Sequence, residues 1–389
     1  MGRTSNSTNI LKVGLNATCF NDRPSGAKQR FFGLFPGLIR KLSFVEFVVF
    51  EAADSVIHTS LPAADNLRFV KTTIPSEGRY RKAVYSWEFW NHTLKKERFD
   101  IFECFNFPMF KSHTGCNLIT IHDIRALKLG GSVVETTLLR YLIRRAGRDA
   151  DFLLTVSDAM KQEIAEFFPP QKTVLIPNGL DVKAFQTLDD RHLSYFKDKF
   201  SLPDEFVLAV GHLEPRKNYT RLLQAAARMR RRGIEFPLVI IGNDSGETGK
   251  IRNLIRTLGL SKSAQILTNL SDAEVRCAYS LCHLFIFPSV YEGFGIPLLE
   301  AMAAGCPIVL SDIAVFREIT EGNGLFFNPL DVDEMTIAIE RGLTNTEERL
   351  HLRDYGLRRV WEFDFTNIIP IYESLYRKIL YHQEASDLS

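Results

Sequence analysis

Short apolar runs rich in β-branched and aromatic residues alternate with helix-patterned stretches along almost the whole chain. No other feature confines the fold as strongly. A strand buried on both faces reads as a continuous apolar run, and its parallel neighbour is reached only through a crossover, usually a helix. A first series of such runs covers residues 10–15, 44–50, 67–71, 101–104, 117–121, 152–156 and 174–176. Pro177-Asn178-Gly179 then punctuates the chain with turn residues. The stretch from there to about Pro203 is polar and is expected to connect two domains. A second series covers 206–210, 237–241, 265–268, 284–287 and 307–310, with helices expected between its members. An α/β chain of 389 residues exceeds one ordinary core. Two Rossmann-like domains are therefore predicted, 1–185 and 186–365, with a last helix from about 366 expected to pack back on the first domain. No short repeat and no low-complexity tract interrupts this plan.

The net charge of +2 conceals an asymmetry. Residues 1–185 carry 25 Lys and Arg against 18 Asp and Glu, and the remainder 23 against 28. So small a total argues against a nucleic-acid binder. The basic first half instead points to an anionic surface or substrate. Arg140, Arg144, Arg145 and Arg148 share much of one helix face, and a further basic patch covers residues 79–82. These positions suit contact with anionic lipid or, equally, a solvated face. The six cysteines form no CxxC pair and several sit in apolar runs, as in a reducing cytoplasm. Residues 1–9 are polar, so no secretory signal is expected. No apolar stretch approaches the ~18 residues of a spanning helix, so membrane contact would be peripheral, on the inner face of the plasma membrane.

In open α/β sheets ligands bind beyond the carboxyl ends of the strands, which directs attention to four loops. The most informative is Ser289-Val290-Tyr291-Glu292-Gly293-Phe294-Gly295-Ile296-Pro297-Leu298-Leu299-Glu300. Two glycines and a first-turn proline bring free backbone amides and a helix N-terminus to one place, an arrangement suited to an anion. Glu292 in the loop can accept from sugar hydroxyls. Glu300, expected in the first helical turn, can grip the two hydroxyls of a ribose or merely complement the helix dipole. The second loop, Gly211-His212-Leu213-Glu214-Pro215-Arg216-Lys217-Asn218, sets an arginine fork beside a lysine before a helix, suited to a diphosphate. In the third, Ser25-Gly26 precedes a helix and lets its N-terminus come close to a ligand. The fourth holds His122-Asp123 just past a strand, where a histidine is either structural or near the reaction centre.

Two glutamates separated by seven residues within E-G-F-G-I-P-L-L-E, followed by Ala301-Met302-Ala303-Ala304-Gly305-Cys306-Pro307, resemble the signature of the retaining GT-B glycosyltransferases of family GT4. The likeness extends to Ser311-Asp312, Arg317-Glu318 and Gly324-Leu325-Phe326-Phe327-Asn328-Pro329. It also includes the G-x-L-x-x-x-K-N pattern of the second loop, the His-Asp pair, Thr155-Val156-Ser157-Asp158 and Ile176-Pro177-Asn178-Gly179. The third loop departs from it: Ser25-Gly26-Ala27-Lys28 lacks the second glycine many members carry.

The resemblance implies two domains facing each other across a cleft and a nucleotide-sugar donor. By it Glu292 contacts the donor sugar and Glu300 the ribose, with Gly26, Gly293, Phe294, Gly295 and Ile296 lining the donor site. Arg216 and Lys217 stabilise the leaving diphosphate, and His122 lies close to the transferred sugar. No metal and no cofactor is expected, since these cations supply the charge and no His/Asp cluster has ligand spacing. Front-face transfer with retention follows, because no carboxylate nucleophile can be nominated. A hexose would pass from a nucleotide-sugar, GDP-mannose by a slight preference, to a glycan or lipid-linked acceptor in surface polysaccharide assembly. A nucleotide-sugar epimerase, a phosphorylase or a non-catalytic sugar-nucleotide sensor could use the same architecture.

Overall fold

The computed structural model describes residues 11–21, 25–130, 132–168 and 172–387. The polar N-terminus, Ile10 of the first predicted strand, Asp22-Arg23-Pro24 just ahead of Ser25 in the third loop and the side chain of Arg79 lie outside the described residues. The chain divides into two compact units, Met1–Gly179 with Phe365–Ser389, and Leu180–Asp364. The division falls between Gly179 and Leu180 rather than after 185.

The first unit is built on seven parallel strands: β1 (Leu11–Asn16), β2 (Val45–Glu51), β3 (Leu67–Lys71), β4 (Ile101–Cys104), β5 (Cys116–Ile121), β6 (Phe152–Thr155) and β7 (Thr173–Leu175), ordered β3-β2-β1-β4-β5-β6-β7. The second has six, also parallel: β8 (Val207–Val210), β9 (Leu238–Ile241), β10 (Ala264–Leu267), β11 (Leu284–Phe287), β12 (Ile308–Ser311) and β13 (Leu325–Phe327), ordered β10-β9-β8-β11-β12-β13. Strands such as β2, β5, β9 and β11 are buried along nearly their whole length, because helices cover both faces of a parallel sheet. Each sheet reverses its strand order once, between β1 and β4 and between β8 and β11. At such a switch point the loops leaving neighbouring strands part and open a crevice.

Among the elements that the sequence reading did not foresee, two show why. The polar stretch after Gly179 contains a helix, Asp190–Lys199, capped by the Asp189 carboxylate accepting from the Arg191 amide at 3.0 Å. Its buried anchor, Phe196, lies 4.9 Å from the Phe200 ring, too sparse an apolar signal to show as periodicity. Strand β13 is three residues long between Gly324 and Asn328, so turn residues mask it.

The last helix, Phe365–Asp387, packs on the helix Gly26–Lys41 of the first unit. Two glycines admit it: a methyl at Gly33 would stand 1.9 Å from the Phe365 ring, and one at Gly37 2.3 Å from Ile369. These positions are one helical turn apart on the same face. Deeper in the contact, the fully buried Glu103 of β4 accepts from Thr120 Oγ1 at 3.0 Å, from Tyr376 at 2.6 Å and from Tyr372. The two tyrosine hydroxyls thereby tie the C-terminal helix to the sheet, and Thr120 of β5 donates to the same carboxylate.

Candidate functional site

The loops after β8 and β11 emerge from adjacent strands at the second switch point. Past β8 a short helical turn, Pro215–Lys217, ends at Asn218, whose backbone is left-handed with φ 60°. The Asn218 amide donates to Pro288 O at 3.0 Å and Pro329 O at 2.7 Å. It thus ties the β8 loop to those after β11 and β13. The Val290 amide donates back to Arg216 O at 2.9 Å.

These ties bring Arg216, Lys217 and Glu292 into one ion cluster. Lys217 Nζ lies 2.7 Å from Glu292 Oε1, and Arg216 Nη1 lies 2.6 Å from Oε2. Arg216 Nη2 reaches Glu214 at 2.7 Å, and Nη1 also donates to Tyr291 O at 3.3 Å. The guanidinium is therefore held in a fork between two carboxylates, the geometry arginine favours. Lys217 Nζ stands 4.7 Å from the centre of the Phe287 ring, a cation–π contact inside the protein. Burial pushes the Glu292 carboxyl up, but the two cations outweigh it and hold its pKa at about 2. Burial also pulls the Lys217 ammonium down against the opposing pull of Glu292. Glu292 therefore joins the cation pair rather than standing apart from it. Glu214, which sequence reasoning passed over, belongs to the same cluster; its one signal is its place two residues before Arg216.

The helix Ile296–Ala303 starts beside Gly295, with Pro297 in its first turn. Gly295 has φ +127°, a conformation that disfavours any side chain, and an added Cβ would sit 2.9 Å from the Phe316 ring. Gly293, Phe294, Gly295 and Ile296 are buried, and Phe294 packs 5.9 Å from the Phe363 ring. Glu300 falls in the second turn, not the first as expected, so complementing the helix N-terminus is no longer its natural role. Its Oε2 accepts from the hydroxyl of Tyr279 at 2.9 Å. Tyr279 carried no sequence signal, since a lone aromatic in a helix reads as core.

The other predicted residues lie in the first unit. Gly26 opens the helix Gly26–Lys41, and the Ser25 hydroxyl caps it by accepting from the Lys28 amide at 3.2 Å. His122 follows the end of β5, its Nε2 enclosed and without a hydrogen-bond partner among the described residues. Burial, with the nearby Arg30 charge, holds its pKa down at about 3, so the ring is neutral near pH 7. Arg140, Arg144, Arg145 and Arg148 are exposed on the helix Val133–Asp149. Lys82 instead turns inward, donating to Thr18 O at 3.1 Å and Ser76 O at 3.0 Å, which removes it from the surface patch. No helix among the described residues is long and apolar enough to cross a membrane.

Comparison with known proteins identifies the family. The family model "Glycosyltransferase Family 4" matches residues 29–184, and "Glycosyl transferases group 1" matches 191–359. An Escherichia coli serotype-specific mannosyltransferase, WbdA, is 31% identical over 247 residues, 61% of this chain but 30% of its own length. The MMP alpha-(1->4)-mannosyltransferase of Mycolicibacterium hassiacum is 32% identical over 248 residues, 61% of this chain and 57% of the relative. The chain thus spans about a third to somewhat over half of the curated relatives it matches. Among solved structures, the sucrose-phosphate synthase of Thermosynechococcus elongatus superposes with a TM-score of 0.78 at 18% identity, covering 96% of this chain and 100% of the other, a likeness of fold. Two parallel-sheet units and two family models that follow one another along most of the sequence agree: the chain belongs to the family 4 glycosyltransferases and has their GT-B fold.

Proposed function

We propose that the protein transfers a hexosyl group from a nucleotide-sugar to a glycan or lipid-linked acceptor, with retention of configuration, in the assembly of a surface polysaccharide. The observation that carries this reading is the Glu292 carboxylate held by Arg216 and Lys217, one helical loop away from Glu300. In the reaction the bond from the anomeric carbon to the diphosphate oxygen breaks and its electron pair stays on the phosphate. Arg216 and Lys217 stabilise that charge from fixed positions, which is the larger part of such catalysis. Glu292 orients the two cations and accepts from sugar hydroxyls. The acceptor hydroxyl bonds to the same face of the anomeric carbon and gives its proton to the departing phosphate oxygen. Glu300 receives the ribose, and the family pattern assigns His122 to the transferred sugar. The cations supply the charge a metal would bring, so transfer is expected to continue in EDTA.

The mannosyltransferase names of the two relatives support a mannosyl donor, with GDP-mannose the first candidate. A panel of UDP-, GDP-, ADP- and dTDP-sugars, scored by binding and slow hydrolysis, tests the donor. Product stereochemistry by NMR tests retention, and an inverted linkage would remove the front-face mechanism. Conversion of donor without any acceptor would instead favour an epimerase.

We place the reaction at the inner face of the plasma membrane, with the protein bound peripherally. The helix Val133–Asp149 exposes Val133, Val134, Leu138 and Tyr141 together with its arginines, and the helix Arg79–Lys96 exposes Tyr80, Val84 and Trp87 beside Arg81. Exposed aromatic and aliphatic side chains interleaved with cations suit an anionic interface. Co-sedimentation with liposomes that is indifferent to phosphatidylglycerol content and to salt would count against it.

A further inference from the structure

Tyr279 lies near the end of the helix Asp272–Leu281, and its side chain is wholly buried. Both ends of that helix are fixed. Ser271 and Glu274 form a reciprocal capping box at its start, and the Cys282 amide closes its end on Ala278 O at 3.0 Å. The Tyr279 ring packs 5.5 Å from Phe285 and 6.2 Å from Phe185. Its carbonyl accepts from the thiols of Cys306 at 2.9 Å and Cys282 at 3.3 Å. Ring, backbone and helix thus leave the hydroxyl a single direction, and it donates to Glu300 Oε2 at 2.9 Å. Burial, reinforced by the Glu300 carboxylate, holds the phenol far above its usual range, so it remains a donor at every working pH.

The bond from Tyr279 fixes the plane in which the Glu300 carboxylate meets the two hydroxyls of a ribose. We propose that Tyr279 is a positioning residue: by fixing the Glu300 carboxylate it sets the preference for ribonucleotide over 2′-deoxyribonucleotide donors. This rests on the reading of Glu300 as the ribose ligand. Sites built to bond a hydroxyl reject the analogue lacking it because the site group is left unpaired, and an unfixed carboxylate can turn to other partners and relax that rejection.

The test is calorimetric binding of GDP against 2′-deoxy-GDP, and of UDP against 2′-deoxy-UDP, so that the base need not be known beforehand. For whichever base binds, the wild type is expected to favour the ribonucleotide by roughly ten-fold or more. In Tyr279→Phe, which keeps the ring and its packing, that ratio is expected to fall to within about three-fold of unity. The donor KM should rise while kcat at saturating donor holds. Phe185→Leu loosens the same packing without touching the hydroxyl, and it should keep the wild-type ratio. An unchanged ratio in Tyr279→Phe overturns the proposal, as does an equal loss in Phe185→Leu. If Glu300→Ala binds ribonucleotide as tightly as the wild type, the assignment of Glu300 itself fails. That outcome is distinct, because Tyr279 then has no ribose contact to position.

Discussion

Lys217 and Glu292, 75 residues apart in sequence, meet as an ion pair at 2.7 Å with both side chains less than a tenth exposed. A pair this enclosed is weak evidence for stability but costly to halve, because the surviving charge is left without a partner. Glu292→Ala is therefore expected to lower unfolding free energy by about 3–5 kcal/mol, read by urea denaturation of the folded variant. The double variant Lys217→Met/Glu292→Leu should be more stable than either single change. If the singles simply add, the two residues do not interact in solution.

Lys217→Ala has a second expected consequence, in rate. A charge fixed beside a leaving diphosphate contributes where negative charge develops, so kcat should drop by ~2–4 kcal/mol with a much smaller change in donor affinity. Glu300→Ala should act the other way round, raising donor KM and lowering nucleotide affinity by about ten-fold or more while turnover at saturation is largely kept. Equal effects of the two changes on KM and kcat would show that they do not divide the donor as proposed.

Asn218 holds the site together without facing it. It is 4% exposed, left-handed at φ 60°, and its amide serves carbonyls from two other loops. Asn218→Ala loses both bonds, strands one buried and one half-buried carbonyl, and meets the backbone cost that asparagine tolerates better than alanine. A loss of about 2–4 kcal/mol is expected from these effects together. The variant should also bind donor more weakly, because the β8 and β11 loops are no longer fastened. Wild-type stability in Asn218→Ala would mean that other contacts fix these loops.

The fold was legible because parallel strands buried on both faces are largely apolar: the runs at 117–121 and 284–287 lie within β5 and β11, both buried along their whole length. Where burial is one-sided or brief the signal fails, as with Asp190–Lys199 and its Phe196 anchor, or with β13. The candidate site was legible in its residue types, since Arg216, Lys217, Glu292 and Glu300 stand within dense local motifs. Their relationship was not. That Glu292 joins the cations depends on β8 lying beside β11, a consequence of strand order. The partnership of Tyr279 with Glu300 depends on how two helices pack, which leaves no mark on either sequence segment.

Glu103 offers a test of how the chain's last helix is held. It receives hydroxyl bonds from Tyr372 and Tyr376 of that helix and from Thr120 of β5. Glu103→Ala would leave three buried hydroxyls without their acceptor, each costing about 1–3 kcal/mol if nothing replaces it. Hydrogen exchange along 365–381 should accelerate markedly, while helices of the second unit keep their protection. Unchanged exchange there would assign the docking to Gly33, Gly37 and their apolar partners alone.

His122 contributes to the pH dependence of the first unit. Its folded-state pKa of about 3 lies below the ordinary 6.5, because burial and the Arg30 charge disfavour the imidazolium. Between those values the unfolded chain binds more protons than the folded one, so stability rises with pH across the window. The contribution is complete above about 6.5 and is lost as pH falls towards 3. One proton limits the slope to ~1.4 kcal/mol per pH unit, and solvent reaching the partly exposed ring will make it shallower. His122→Asn removes the titration. Its melting temperature relative to wild type should therefore improve steadily from pH 7 to pH 5, whatever the variant costs at neutral pH. A difference that stays constant over that range would mean that His122 titrates alike in the folded and unfolded chain, so that its enclosure does not hold its pKa down.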